Sequence, residues 1–127
     1  MAETEPDILF RRGLEAFNAG DYYDAHEYWE DLWSEYQLPD RSLIQGLIQM
    51  AVGCFHITND NLNGARGLFG KALPKLEAHQ PTGRGLDVTR LATFVRRALE
   101  QVNTIETGAE FDWSLVPELE VTEVKEV

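Results

Sequence analysis

The chain has 127 residues, enough for one domain (1–127) with a real core and too few for two. Its hydrophobic fraction of 43%, with three Trp, four Tyr and six Phe, excludes a disordered chain. Eleven Lys and Arg against 22 Asp and Glu leave a formal charge of −11, which repels phosphate backbones and anionic lipid and argues against nucleic-acid and membrane-surface roles.

Pro6 and Asp7 read as the first turn of a helix carrying Leu9, Phe10, Gly13, Leu14 and Phe17 on one face. Asn18-Ala19-Gly20 ends it, and Asp21 is placed to cap the next. The second helix carries Tyr22, Ala25, His26, Trp29, Leu32, Trp33 and Tyr36, a sustained 3.6-residue period. After the turn Leu38-Pro39-Asp40, a third helix over about 40–58 is apolar almost all round, so it belongs at the centre of the fold. Its polar strip holds Gln45, Gln49 and His56, with Gly46 and Gly53 beside it where another backbone could approach closely. Cys54 stands alone in this apolar run, a small core residue rather than a nucleophile, and excludes an internal disulfide.

Asn59-Asp60-Asn61 signals a turn and cap before a fourth helix with Leu62, Ala65, Phe69, Ala72, Leu73 and Leu76, which Pro74 is expected to kink or shorten. "HQPTGRG" reads as a loop, with His79 in solvent. Asp87 caps a fifth helix with the stripe Val88, Leu91, Ala92, Val95, Ala98, Leu99 and Val102. Beyond Gly108 the alternation of Phe111, Trp113 and Leu115 predicts an extended arm against the bundle, its apolar area available to a homodimer contact. Residues 1–5 and 122–127 are expected to be flexible. A shift of 40 residues lays Tyr22, Ala25, Trp29, Leu32, Trp33 and Tyr36 over Leu62, Ala65, Phe69, Ala72, Leu73 and Leu76, and Gly13 over Gly53. The fold class that follows is all-α: an irregular bundle of about five helices, the third central, with hairpins resembling tetratricopeptide units and an extended C-terminal tail.

The stretch "AHEYWEDLW", residues 25–33, sets a histidine and two glutamates among large aromatics. The short link between the second and third helices makes them antiparallel, which brings Glu30 level with Gln45 and His26 level with Gln49. Two chemistries fit. A hydrogen-bonded network would satisfy these groups on burial and fix the helix register. Alternatively, His26 and Glu30, one turn apart, could share a metal ion, with Glu27 or Glu30 as base, although Gln is a poor third ligand and His56 lies about 10 Å further along. Trp29 and Trp33 read first as core packing, with recognition of a small ligand or partner segment as the alternative.

The strings "FNAGDYYDAHEYWEDLW", "QGLIQMAVGCFH" and "NLNGARGLF" resemble the blocks of a small helical family, domain of unknown function family 309, over about residues 10–76. The resemblance implies a compact all-α fold and singles out His26, Glu27, Glu30, Trp33 and Gln49, but brings no activity with it. The expected role is therefore a non-enzymatic binding or scaffold protein with a polar seam between the second and third helices, taking a protein or small-molecule partner and no cofactor. The alternative is a metal-assisted hydrolase or metal-binding protein using His26, Glu27 and Glu30. The acidic N-terminus shows no signal peptide, the longest apolar stretch, Leu43–Phe55, is too short for a bilayer, and the lone cysteine suits a reducing compartment, so a cytoplasmic location is expected. Only three of the eleven cations are Lys, a balance that suits a salty cytoplasm as well as an acidic mesophilic protein.

Overall fold

The structure is a computed structural model that describes residues 3–122. Its α-helices are α1 (Glu5–Asn18), α2 (Tyr22–Glu35), α3 (Arg41–Thr58), α4 (Leu62–Ala78) and α5 (Val88–Val102), which makes the fold all-α as expected. α1 starts through a capping box: the Thr4 hydroxyl accepts the Asp7 N–H at 3.3 Å, and the Asp7 carboxylate accepts the Thr4 N–H at 3.2 Å. Glu3 also pairs with Arg11 at 2.9 Å, so the start of the described chain is held in place. The flexibility expected of Met1, Ala2 and residues 123–127 falls outside the described residues. Asn61 and Asp87 cap α4 and α5 by accepting the N–H of Gly64 at 2.9 Å and of Arg90 at 3.0 Å. Pro74 does not shorten α4, which continues to Ala78.

Each helix packs chiefly on its neighbours in sequence, so α3, between α2 and α4, is the centre of the array. Tyr23 near the start of α2 lies against Phe55 near the end of α3, and the Arg41 guanidinium at the start of α3 lies over Trp33 near the end of α2. Those two pairs make α2 and α3 antiparallel. Trp29, Phe17, Leu47, Met50, Phe69 and Val95 anchor a continuous apolar cluster that runs through all five helices.

The faint 40-residue repeat is a physical one. Asp21 N–H donates to Ala16 O at 2.9 Å, and Asn61 N–H, 40 positions on, donates to His56 O at 2.8 Å. Gly20 and Asp60 both take positive φ, +81° and +57°, to turn the chain between helices. A β-carbon on Gly13 would fall 2.0 Å from the Trp29 indole, and one on Gly53 would fall 2.7 Å from the Phe69 ring. Each hairpin thus uses a glycine to seat the large ring of its second helix. Gly53 makes room for a ring, where the sequence suggested the approach of a backbone.

The segment read as a plain loop contains a two-stranded antiparallel hairpin, β1 (Thr82–Gly83) and β2 (Leu86–Asp87). Arg84 and Gly85 turn it with φ of +50° and +76°, the backbone of a tight hairpin. Arg84 is an unusual residue for that position, which is why the turn was not legible. Beyond α5 the tail crosses the bundle with short 3-10 turns at Gly108–Glu110 and Trp113–Leu115. Phe111 is buried, and Trp113 stacks on Tyr22 at 5.6 Å while remaining 37% exposed. Asn18 holds the tail further along, bonding both the N–H and the carbonyl of Leu119 at 2.7 and 3.0 Å, and the Thr122 N–H donates to Gly85 O at 2.9 Å. Among the described residues no helix is long and apolar enough to cross a membrane.

Candidate functional site

α2 carries two faces. Ala25, Trp29 and Leu32 enter the core, and Trp29 is fully buried with its indole N–H donating to Phe10 O at 3.2 Å. A second stripe, turned well away from these three, holds Tyr23, His26, Glu27 and Glu30, and its Tyr23 meets Phe55 of α3. Along this seam His26 is mostly covered, while Glu27 and Glu30 are exposed.

The polar seam does not close as expected. His26 Nδ1 lies 2.6 Å from the carbonyl oxygen of Tyr23, one turn back on its own helix. A carbonyl only accepts, so Nδ1 carries the proton and donates. Nε2 faces the Glu30 carboxylate at 3.5 Å. Neither ring nitrogen bonds Gln49, whose Oε1 is buried without a partner. Gln45 and Gln49 share the partly covered strip of α3, and neither side chain bonds His26 or Glu30 among the described residues. The physical reason is local: an acceptor fixed in the preceding turn costs His26 less ordering than one on a separate helix.

Tyr23 is the residue that the sequence did not single out. Its ring is 48% exposed, meets His26 edge-on at 4.9 Å and leans on Phe55 at 5.3 Å. The Glu27 carboxylate, within reach of the Tyr23 hydroxyl, pushes that phenol above its ordinary pKa by hydrogen bonding and by charge. That gives Glu27, which projects away from the core, a partner on its own face. Tyr22, half-buried under Trp113, is raised to about 12 by burial. A tyrosine three residues before the histidine was the available signal, masked because Tyr22 and Tyr23 both read as hydrophobic.

Trp33 has a different task. Arg41 sits 3.9 Å over its ring and donates to the Trp33 carbonyl at 2.7 Å, which closes the C-terminal turn of α2 through a cation–π contact and a cap. His56 is bound to Asn61 at 3.3 Å in the α3–α4 turn and takes no part in the His26 cluster. Nor is His79 free in solvent: its Nε2 lies 2.6 Å from the Ser42 hydroxyl and ties the end of α4 to the start of α3. Nearby, Arg84 grips Asp40 with a second nitrogen at 3.1 Å and lies 5.0 Å over the Phe10 ring. Burial would raise the Asp40 carboxyl, but hydrogen bonding and charge from Arg84 outweigh it and hold the carboxyl below its usual range. Among the described residues no three His, Cys, Asp or Glu converge as a ligand set, so the arrangement at His26 supplies two donors, the imidazole and Glu30.

Residues 10–68 match the model of a family described as Domain of unknown function (DUF309). Over that stretch the chain is similar to the DUF309 family. The match runs from the middle of α1 to the first part of α4, including His26, Glu27, Glu30, Trp33, Gln45 and Gln49, and stops short of the extent to 76 expected from the sequence. The chain is also similar to the Uncharacterized protein YpuF of Bacillus subtilis (strain 168), 32% identical over 88 residues that make up 67% of this chain and 51% of that protein. The chain spans about half the length of that curated relative.

Proposed function

We propose that this chain is a non-enzymatic cytoplasmic binding or scaffold protein whose repeated hairpins, α1–α2 and α3–α4, present a recognition face in the manner of tetratricopeptide units. The observation that carries the reading is Tyr23, 48% exposed on the α2–α3 seam and flanked by acidic side chains. Within α2 there are five acids and no Lys or Arg, and among the described residues Asp24, Glu27, Asp31 and Glu35 have no salt-bridge partner. An exposed aromatic on a rigid helix, framed by unpaired charge, suits recognition of a protein segment and does not suit phosphate or anionic lipid. The reading needs no cofactor.

The test is cross-linking from position 23 in cells with a photoreactive residue in place of Tyr23, followed by Glu27→Lys and Asp24→Lys in the same background. A specific adduct that both variants abolish while the fold is kept supports the binding role; no adduct above that of a control site on α5 removes it. If the excess of acids serves a salty cytoplasm, the melting temperature rises in multimolar KCl, and a flat response dismisses that adaptation.

One observation favours a second reading. A histidine that donates Nδ1–H to a backbone carbonyl and turns Nε2 toward a carboxylate is oriented as metal-ligating histidines are. His26 and Glu30 would then hold a divalent ion, with Glu27 or Glu30 as base for a hydrolysis. Protein purified without an affinity tag would carry a stoichiometric ion, lost on His26→Ala. An ion-free protein, unaffected by chelator, disposes of this alternative.

A further inference from the structure

The seam of α2 and α3 ends, at the N-terminus of α2, in an open cavity lined by Asp21, Tyr22, Tyr23, Asp24, Phe55 and Thr58. At about 290 Å³ it lies at the small end of ligand pockets, the size for a side-chain head group rather than a cofactor. Three aromatic and two acidic residues line it. Tyr23 and Phe55 lean together at 5.3 Å, and Trp113, stacked on Tyr22 at 5.6 Å with 12° between planes, holds that ring in place from the far side. Asp21 stands at the cap position of α2, yet its side chain makes no cap hydrogen bond, and neither Asp21 nor Asp24 pairs with a Lys or Arg among the described residues.

We propose that this cavity is a subsite for an arginine side chain of the partner. A guanidinium combines a flat face that stacks on tyrosine and phenylalanine with a fork of N–H donors that suits carboxylates, whereas the ammonium of lysine offers no flat face. The electrostatics agree. The dipole of α2 places partial positive charge here, of about half a unit, and the C-terminal end of antiparallel α3 at Thr58 brings partial negative charge of similar size. With those two opposed, the two aspartates set the sign. Neighbouring Glu27, also exposed, adds to it.

This subsite rests on the binding reading and names the chemistry that the face selects. The experiment is a titration of the isotopically labelled full chain with N-acetyl-arginine amide, followed through backbone amide shifts, with N-acetyl-citrulline amide and N-acetyl-lysine amide as comparisons. Arginine should shift the amides of residues 20–24, 55 and 58 with a dissociation constant on the order of millimolar. Asp24→Asn should weaken it roughly fivefold, and Tyr23→Ala by a similar factor. Citrulline, the neutral isostere, should give no saturable shift, and lysine a weaker one. Both variants change exposed side chains, so an unchanged far-UV spectrum should accompany each. Shifts spread evenly over the acidic surface, or equal response to citrulline, overturn the subsite. If the Tyr23 cross-link persists and is lost with Glu27→Lys while arginine gives no response, the subsite falls and the binding role stands. If both the cross-link and the arginine response are missing, both fall.

Discussion

Replacing Gly13 by alanine sets a favourable backbone effect against a steric one, and the structure says which wins. In an exposed helix Gly→Ala stabilises by about 0.5–1 kcal/mol through backbone entropy. At Gly13 the new β-carbon would lie 2.0 Å from Trp29 Nε1 and 2.4 Å from Cδ1, well inside van der Waals contact. Trp29 has no accessible surface, so its ring can yield only by moving neighbours or leaving its rotamer, at a cost of about 1–3 kcal/mol. Displacing the ring also breaks its 3.2 Å bond to Phe10 O and strands the buried indole donor, about 1–3 kcal/mol more. Gly13→Ala should therefore destabilise by about 3 kcal/mol net and lower the melting temperature by roughly 10 °C for a chain of this size. Gly67→Ala is the control of opposite sign: it lies exposed within α4, and nothing stands within 4 Å of its would-be β-carbon. That variant should gain about 0.5–1 kcal/mol. Urea unfolding followed by circular dichroism measures both. Equal or higher stability for Gly13→Ala would refute the claim that the glycine exists to seat the indole.

Three further outcomes follow from the structure. Asp40→Asn should cost about 1–2 kcal/mol at neutral pH by unpairing Arg84. Because the Asp40 carboxyl is held below its ordinary value in the folded state, its contribution is complete above the unfolded pKa and lost as pH falls through the folded one; the gap between wild type and variant should close on acidification, and a constant gap would count against the pair. His26→Ala should cost only about 0.5–1.5 kcal/mol, less than for a closed inter-helix network, since it removes one bond to its own helix and leaves Gln49 as it was; a loss beyond 3 kcal/mol by chemical denaturation would restore the network. Cys54 is fully buried and burial raises its thiol pKa, so a thiol reagent should label it only as fast as the protein unfolds, whereas rapid labelling of native protein would show an opening through the core.

What the sequence by itself determined is the set of helices, their buried faces and their order. A 3.6-residue period in Tyr22 to Tyr36, an apolar run at Leu43–Phe55 and capping residues at Asn61 and Asp87 state these facts in one dimension, because burial repeats with the helix turn. The 40-residue repeat was legible too, as a pattern; the two glycine–ring contacts give it physical meaning. Only the tertiary structure decided the site. Helix register brought His26 near the level of Gln49, but a hydrogen bond needs its atoms within a few tenths of an ångström, and the Tyr23 carbonyl on the same helix met that condition first. The same limit hid the exposure of Tyr23, the Arg41–Trp33 and Arg84–Asp40 contacts and the fold of the tail, which depend on how helices rotate and cross and not on which residues are apolar. Periodicity says which side of a helix is covered; only packing in three dimensions says by what.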